Sequence, residues 1–176
     1  RVLDLGCGGG ELMQQLIVKK NVEGIGIEKS QGNVVTCTRR GISVVQADID
    51  NGLTRFPDDS FDFVILSMTL QVLKKPELAL KEMLRVGKKC IVSFPNFGFW
   101  RVRSMAFFQG RAPVTRNLPY AWYQTPNRHV LSMDDFRKFC VEHEYTIENE
   151  IPLWGDGVAK FWPNLLAEEA LYVITK

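Results

Sequence analysis

The first ten residues, RVLDLGCGGG, place an acidic side chain beside a glycine-rich turn. Apolar residues around Asp4 predict a buried parallel strand, and Gly6, Gly8 and Gly10 predict a tight turn into a helix. Such glycines let a ligand approach the main chain closely. A dinucleotide-binding turn would carry a third small residue at position 11, where this chain has Glu11. The pattern therefore disfavours a pyrophosphate-bearing cofactor, and Asp4 favours a cationic ligand such as the amino group of an amino-acid tail.

Two further acids follow the next two predicted strands. Glu28 follows Gly6 by 22 residues, where an open α/β nucleotide site places a carboxylate on ribose hydroxyls. Asp48 follows the third predicted strand, which spans 42–47. Because parallel strands end at one edge of a sheet, the sequence predicts that Asp4, Glu28 and Asp48 lie along that edge.

The elements that must position these acids alternate regularly along the chain. Strands and helices succeed one another up to a fifth strand at 90–94, which predicts a parallel, doubly wound sheet. Ser67 ends the fourth strand and is expected in the crevice where ligands bind in such sheets. Gly87 is predicted to cap the helix that starts near Pro76. Ser132 and Asp135 predict a capping box for a later helix.

Composition limits the class of protein. The chain has 176 residues, of which 45% are hydrophobic and 24% are charged, with a net charge of +2. It contains no apolar run long enough to span a membrane. Its four cysteines are scattered and its two histidines are apart, so we expect no disulfide framework, no metal site and a cytoplasmic location. The chain begins inside its first strand without Met, from which we expect a lost N-terminal segment ahead of one domain spanning 1–176.

Residues 97–128, here called the cap, interrupt the alternation. The cap interleaves aromatic residues with five arginines. The longer stretch from Met83 to Met133 contains eight Lys or Arg and no acid, so the remaining chain has 14 basic and 20 acidic residues. Arginines with aromatic neighbours suit nucleic acid, an anionic small substrate or a partner surface, and a cap that packs its aromatics and solvates its arginines is the fourth possibility.

Several candidate residues have competing interpretations. Cys7 is either a thiol activated by a helix N-terminus or a position that offers only its backbone to a ligand, and we favour the second. His129 is a substrate-facing base or, by preference, a loop residue. Amino-group methylases carry an Asp/Asn/Ser-Pro-Pro-aromatic tetrad after the fourth strand, and this chain has none there. The similar stretch Ser93-Phe94-Pro95-Asn96 belongs to the fifth strand.

The glycine turn and the three acids together resemble the class I S-adenosylmethionine-dependent methyltransferases. That resemblance implies a Rossmann-like, mostly parallel seven-stranded sheet whose last strand runs antiparallel between the fifth and sixth. It implies that Asp4 serves the methionine end of the cofactor, that Glu28 binds the ribose and that Asp48 binds the adenine amine. The full implied binding set is Asp4, Gly6, Cys7, Gly8, Gly10, Glu28, Lys29, Asp48, Ile49 and Ser67.

Longer motifs resemble the MetW family of methionine-biosynthesis proteins. They are FDFVILSMTLQ at 61–71, RVG at 85–87, SFPNFGFW at 93–100, LPY at 118–120, WY at 122–123, TPN at 125–127 and RH at 128–129. Gly9 departs from the family pattern, since many relatives carry an acid there. The resemblance implies S-adenosylmethionine as cofactor, S-adenosylhomocysteine as product and a homoserine O-acyltransferase as partner; nucleic acid is not expected. Both a methyltransferase and a non-catalytic partner subunit fit this resemblance.

Overall fold

A computed structural model describes residues 1–176 as one eight-stranded sheet with helices on its faces. The strands are β1 (Val2–Leu5), β2 (Gly24–Glu28), β3 (Val44–Gln46), β4 (Phe61–Ser67), β5 (Gly87–Pro95), β6 (Thr146–Trp154), β7 (Gly157–Val158) and β8 (Glu169–Thr175). The helices are α1 (Glu11–Lys20), α2 (Gln31–Arg39), α3 (Pro76–Val86), α4 (Trp100–Gln109), α5 (Met133–Glu142) and α6 (Pro163–Leu166). Two short 3₁₀ turns occupy Ile49–Asn51 and Leu70–Val72.

The strand order is β3-β2-β1-β4-β5-β8-β6-β7. Strands β1 to β5 pair in parallel, and β8 lies antiparallel between β5 and β6. The predicted class I methyltransferase topology is therefore confirmed. The predicted number of seven strands is wrong by one, because β6 turns back at Gly155 (φ 56°) and pairs with the two-residue β7.

The order of the strands creates a crevice beside β1. The chain moves outward from β1 to β2 and β3, and then returns to place β4 on the other side of β1. Helices that leave adjacent strands in opposite directions separate at this point, which opens a gap beyond the carboxyl ends of the strands. The glycine turn lies at this gap.

Both faces of the sheet carry apolar clusters. One cluster joins Leu3, Val64 and Phe94 of the strands to Met83 of α3 and Phe136 of α5. The second joins strand residues to Met13 of α1 and Cys37 of α2. On this second face α1 packs closely on β2, since a Cβ added to Gly24 would lie 2.0 Å from the sulfur of Met13. The two helix layers fix the sheet edge that carries the acids.

Two predictions concern the ends of helices. The capping box is confirmed: the Ser132 hydroxyl accepts from the Asp135 N–H, and the Asp135 carboxylate accepts from the Ser132 N–H. Gly87 is also confirmed as the residue that caps α3, since its N–H donates to the Met83 carbonyl, but its φ and ψ are −117° and 144° rather than left-handed, and it begins β5. A Cβ there would lie 2.4 Å from Val64, so close packing of β5 on β4 explains the glycine.

The cap contains one helix, α4, followed by chain without regular structure up to α5. Its start is fixed by Asn96, which is 1% exposed and makes four hydrogen bonds. The Asn96 amide donates to carbonyls of Asn164 and Ala167, and its oxygen accepts from N–H groups of Gly98 and Met133. The cap is thereby tied to α5 and α6 at the carboxyl end of β5.

Candidate cofactor site

The glycine turn leaves β1 in a left-handed backbone conformation. Gly6 has φ 72°, and a Cβ at this position would lie 2.9 Å from the Thr69 side chain. Gly8 has φ 55°, and no atom lies within 4 Å of the position of its Cβ. Gly6 is therefore required by the fold, whereas Gly8 borders open space that a ligand can use.

Glu28, at the end of β2, holds this turn in place. One oxygen of its carboxylate accepts from the Gly8 N–H at 2.9 Å, and the other accepts from the Ser30 N–H at 2.7 Å. Each oxygen keeps a lone pair for a further donor. Glu28 thus orders the turn and keeps free acceptor positions, where the sequence predicts ribose hydroxyls.

A cavity of about 330 Å³ opens in front of Glu28. Five predicted site residues line it: Gly6, Glu28, Lys29, Asp48 and Ile49. Seven residues that were not predicted also line it: Ala47, Asp50, Thr69, Val72, Leu73, Lys74 and Arg128. The cavity spans the carboxyl ends of β1, β2 and β3, which is the edge predicted for the acids.

The other five predicted residues lie outside the cavity wall. Asp4 is buried in β1 directly behind the turn, and Ser67 ends β4. The Cys7 side chain is buried beneath the turn, and a Cβ added to Gly10 would lie 2.5 Å from the Ile42 side chain. Gly8 stands beside the cavity and contributes its N–H to Glu28. The structure thus separates residues that face the cavity from residues that shape it.

Asp4 is a buried carboxylate. It is 2% exposed, and burial raises its pKa to about 6, with the nearby Glu28 carboxylate as a smaller cause. No hydrogen bond to Asp4 offsets this cost. A buried acid without a partner favours a cationic donor beside it. This environment suits the cationic ligand group that the sequence predicts for Asp4.

Asp48 is already paired in the structure. Its carboxylate contacts the Lys29 ammonium at 2.7 Å and accepts from the Asp50 N–H at 3.1 Å. The bond with Lys29 is the main reason that the pKa of Asp48 is lowered and that of Lys29 is raised. An adenine amine at this position would share Asp48 with the lysine.

The unpredicted wall residues come from turns that the sheet edge brings together. The Asp50 carboxylate accepts from the N–H groups of Lys74 and Lys75, both at 2.8 Å, and so joins the loop after β3 to the loop before α3. The Arg128 N–H donates to the Gln71 carbonyl at 2.8 Å, which brings the end of the cap to the cavity. Only Thr69 carried a usable signal, since it lies two residues after the end of the fourth strand.

The end of β4 is held in an unusual conformation. Met68 has φ 50°, which is rare for a residue with a side chain. Its N–H donates to the Ser93 carbonyl at 2.9 Å, and the Thr69 hydroxyl donates to the Ser67 carbonyl at 2.8 Å. Such backbone strain clusters at functional sites.

Neither Cys7 nor His129 lies in the environment of a reactive group. The Cys7 thiol lies 3.9 Å from the Cys37 thiol, and burial raises its pKa, which is the opposite of activation. His129 Nε2 lies 2.9 Å from the Leu73 carbonyl and links the end of the cap to the turn after β4. His129 is therefore a hydrogen-bonded loop residue, as preferred, and a backbone contact of Cys7 with a ligand stays a prediction.

The charge asymmetry is concentrated in the cap. Outside the cap, Arg85, Lys88 and Lys89 form salt bridges with acids from other segments. The five cap arginines form none: Arg101, Arg103, Arg111, Arg116 and Arg128. Four aromatic side chains of the cap are at least 69% exposed, namely Phe107, Phe108, Trp122 and Tyr123. The cap therefore exposes both unpaired positive charge and aromatic surface.

No three His, Cys, Asp or Glu side chains are grouped so that they could hold a metal ion. None of the helices combines the length and the apolar character required to cross a bilayer.

Comparison with known proteins agrees with this geometry. The model of the family described as "Methionine biosynthesis protein MetW" matches residues 1–174. The chain is 36% identical over 159 residues to the bifunctional methionine biosynthesis protein MetXA/MetW of Rhodopirellula baltica, a match that covers 85% of this chain and 26% of the relative. The chain thus spans about a quarter of that relative's length.

Solved structures share the fold at low identity. A S-adenosylmethionine-dependent methyltransferase from Mesorhizobium loti superposes with a TM-score of 0.71 at 17% identity, over 100% of this chain and 90% of the other. The [4+2]-cyclase SpnF superposes with a TM-score of 0.69 at 17% identity, over 100% of this chain and 75% of the other. At this identity the likeness establishes the fold alone.

Proposed function

Because the chain belongs to the MetW family of methionine biosynthesis proteins, we propose that its carboxyl-edge cavity binds S-adenosylmethionine for methyl transfer. The observation that carries this proposal is the alignment of Asp4, the glycine turn and Glu28 along one edge of the sheet. A buried acid, an open glycine and a ribose-type acceptor follow one another there, in the order that a nucleoside with an amino-acid tail requires.

In this proposal, different residues of the chain bind different parts of the cofactor. Asp4 accepts from its amino group, and Gly8 leaves room for its methionine tail. Glu28 accepts from the ribose hydroxyls. Asp48 and the apolar side chain of Ile49 hold the adenine, with Lys29 beside them. The bound cofactor supplies a methyl group on a sulfonium that is already activated, so the protein mainly has to orient the acceptor and exclude water.

A second function, a non-catalytic subunit of a homoserine O-acyltransferase, is favoured by a separate observation. The similar part of the Rhodopirellula protein is joined in one chain to MetXA. The cap offers five unpaired arginines and exposed aromatic side chains, which suit an acidic protein surface. Since a protein named as a cyclase also has this fold, the fold does not decide between enzyme and subunit.

Labelled methyl transfer distinguishes the two functions. We expect that purified protein, mixed with bacterial extract and S-adenosylmethionine carrying a labelled methyl group, transfers the label to an acceptor. Glu28→Ala protein is the control, because it removes the ribose acceptor without touching the cap. No transfer, combined with co-purification and activation of the acyltransferase, would reject the enzyme and support the subunit.

A further inference from the structure

The cap reaches the proposed cofactor cavity through its last residue, Arg128. The N–H groups of Arg128 and His129 both donate to the Gln71 carbonyl, at 2.8 and 3.1 Å. His129 Nε2 lies 2.9 Å from the Leu73 carbonyl. These three contacts fix the end of the cap to the turn that follows β4. The backbone of Arg128 is therefore held beside the cavity by the chain itself.

The cavity wall has two parts, and Arg128 belongs to the second. The first part follows the ends of β2 and β3 and includes Lys29, Asp48 and Ile49. The second part comes from the turn after β4, with residues 72–74, and from the end of the cap, with Arg128. A ligand in this cavity therefore lies against the cap as well as against the edge of the sheet.

The Arg128 side chain carries a positive charge that no acid of the chain pairs with. It is exposed and forms no salt bridge. Lys29, in the other part of the wall, is paired with Asp48 at 2.7 Å. The hydrogen bond with Asp48 raises the pKa of Lys29, and the charge of Arg128 is a smaller cause that acts in the opposite direction. The Arg128 guanidinium thus lies near the pair formed by Lys29 and Asp48.

This position decides which part of the cofactor Arg128 can contact. S-adenosylmethionine offers a guanidinium two partners, the carboxylate of its amino-acid tail and the aromatic ring of its adenine. The tail is assigned to Asp4 and Gly8, and neither residue lines the wall that contains Arg128. The adenine is assigned to Asp48, which lies in the same wall as Arg128 and is paired with Lys29. The position of Arg128 therefore favours the adenine.

An arginine supplies a contact with adenine that the acids of the sheet edge cannot supply. An ionised carboxylate only accepts hydrogen bonds, so Asp48 can bind the adenine amine but not the ring nitrogens, which are acceptors. A guanidinium is flat, weakly hydrated and rich in N–H donors, so it can stack on an aromatic ring or donate to a ring nitrogen. Arg128 and Asp48 are therefore complementary partners for one adenine ring.

We propose that Arg128 binds the adenine of the cofactor from the side of the cap, so that the cap is part of the cofactor site. This inference rests on the proposed binding of S-adenosylmethionine. The adenine lies between the sheet edge, where Asp48 accepts from its amine, and the guanidinium of Arg128. The other four arginines of the cap do not line the cavity and stay available for a partner: Arg101, Arg103, Arg111 and Arg116.

Two ligands locate the contact of Arg128. S-adenosylhomocysteine contains the adenosine and the amino-acid tail, whereas methylthioadenosine keeps the adenosine and the sulfur and lacks the tail. NMR titration measures both affinities, because it also detects weak binding. Arg128→Ala should weaken the two ligands by the same factor, roughly 2- to 30-fold, the range of a cation–π contact. Arg116→Ala is the matched control and should bind both ligands unchanged, because Arg116 is an exposed cap arginine outside the cavity.

The results separate failure of this inference from failure of the proposed function. Unchanged affinity of Arg128→Ala for both ligands would overturn the inference, and so would a loss confined to S-adenosylhomocysteine, which would place Arg128 at the tail. An equal loss in Arg116→Ala would also overturn it, because the effect would then come from the overall charge of the cap. In all three cases unmodified protein still binds S-adenosylhomocysteine and the proposed cofactor site stands. Absence of that binding by folded, unmodified protein would overturn the proposed function and the inference together.

Discussion

Replacing Asp4 by Asn should stabilise the free protein and weaken its cofactor binding. The pKa of Asp4 rises from 3.8 to about 6 on folding. A difference of about 2 units corresponds to about 3 kcal/mol at a pH where the group is ionised in both states. Asn removes the charge and keeps the shape, so the variant should gain up to about 3 kcal/mol in its free energy of unfolding at pH 8.

The expected gain in the free energy of unfolding should depend on pH, because burial penalises only the ionised form of Asp4. Below pH 3.8 Asp4 is protonated in both the folded and the unfolded chain, and its burial then costs no charge penalty. As the pH rises from 3.8 to about 6 the unfolded chain loses this proton while the folded protein keeps it, so the stability of the unmodified protein falls relative to the variant; above about 6 both states are ionised and the full difference remains. Urea unfolding of both proteins at pH 4 and pH 8 measures this difference. Comparing the two pH values cancels any cost of the Asn amide that does not depend on pH.

Binding should change in the opposite direction. Loss of the carboxylate removes a charged partner of the cofactor's amino group, which is worth about 1.5–3 kcal/mol, or roughly 10- to 150-fold in the dissociation constant of S-adenosylhomocysteine. In the unmodified protein, binding near pH 6 should release a proton from Asp4, so the calorimetric heat should vary with the ionisation enthalpy of the buffer. A variant that is less stable at pH 8 than at pH 4 relative to the unmodified protein, or that binds the ligand unchanged, would refute this account of Asp4.

Three further predictions concern the glycine turn, the thiols and the cap. Gly8→Ala should weaken S-adenosylhomocysteine binding with a stability loss of only about 1 kcal/mol, whereas Gly6→Ala, which clashes with Thr69, should lose more stability; equal calorimetric affinity in Gly8→Ala and unmodified protein would contradict this. All four cysteines are buried, so a colorimetric thiol reagent should modify native protein slowly and unfolded protein fully; fast reaction of native Cys7 would contradict its inward placement. A variant that changes Arg101, Arg103 and Arg111 of the cap to Glu should no longer capture the acyltransferase. Its affinity for the cofactor should stay unchanged. The control reverses three exposed charges on α1 and α2, Lys19, Lys20 and Arg39. Intact capture by the cap variant, or salt-sensitive RNA binding by unmodified protein, would reject the partner surface.

The sheet and the acid edge were predictable because local patterns determine them. Apolar strands alternating with helices allow few topologies, and the carboxyl ends of parallel strands share one edge. Glu28 therefore lines the cavity and holds the glycine turn, as its distance along the chain indicates. The capping box of α5 was equally predictable, because its two residues, Ser132 and Asp135, are only three positions apart in the chain.

The features that could not be predicted depend on contacts between segments that are distant in the sequence. Arg128 reaches the cavity only because its N–H bonds to Gln71, and no local pattern indicates that pairing. Gly87 caps α3 as predicted, but the sequence does not indicate the close approach of Val64, which also requires a glycine there. The contact between the Ser67 and Ser93 hydroxyls joins residues that are 26 positions apart in the chain and adjacent only in the folded sheet.

Titration calorimetry with S-adenosylhomocysteine tests the central claim most directly. Unmodified protein should bind one equivalent and show no heat with NAD. Glu28→Ala should bind more weakly by about 1–3 kcal/mol, because the ribose hydroxyls lose their charged acceptor. Absence of binding by folded protein, or equal affinity in the Glu28→Ala variant, would contradict the assignment of this cavity to the cofactor.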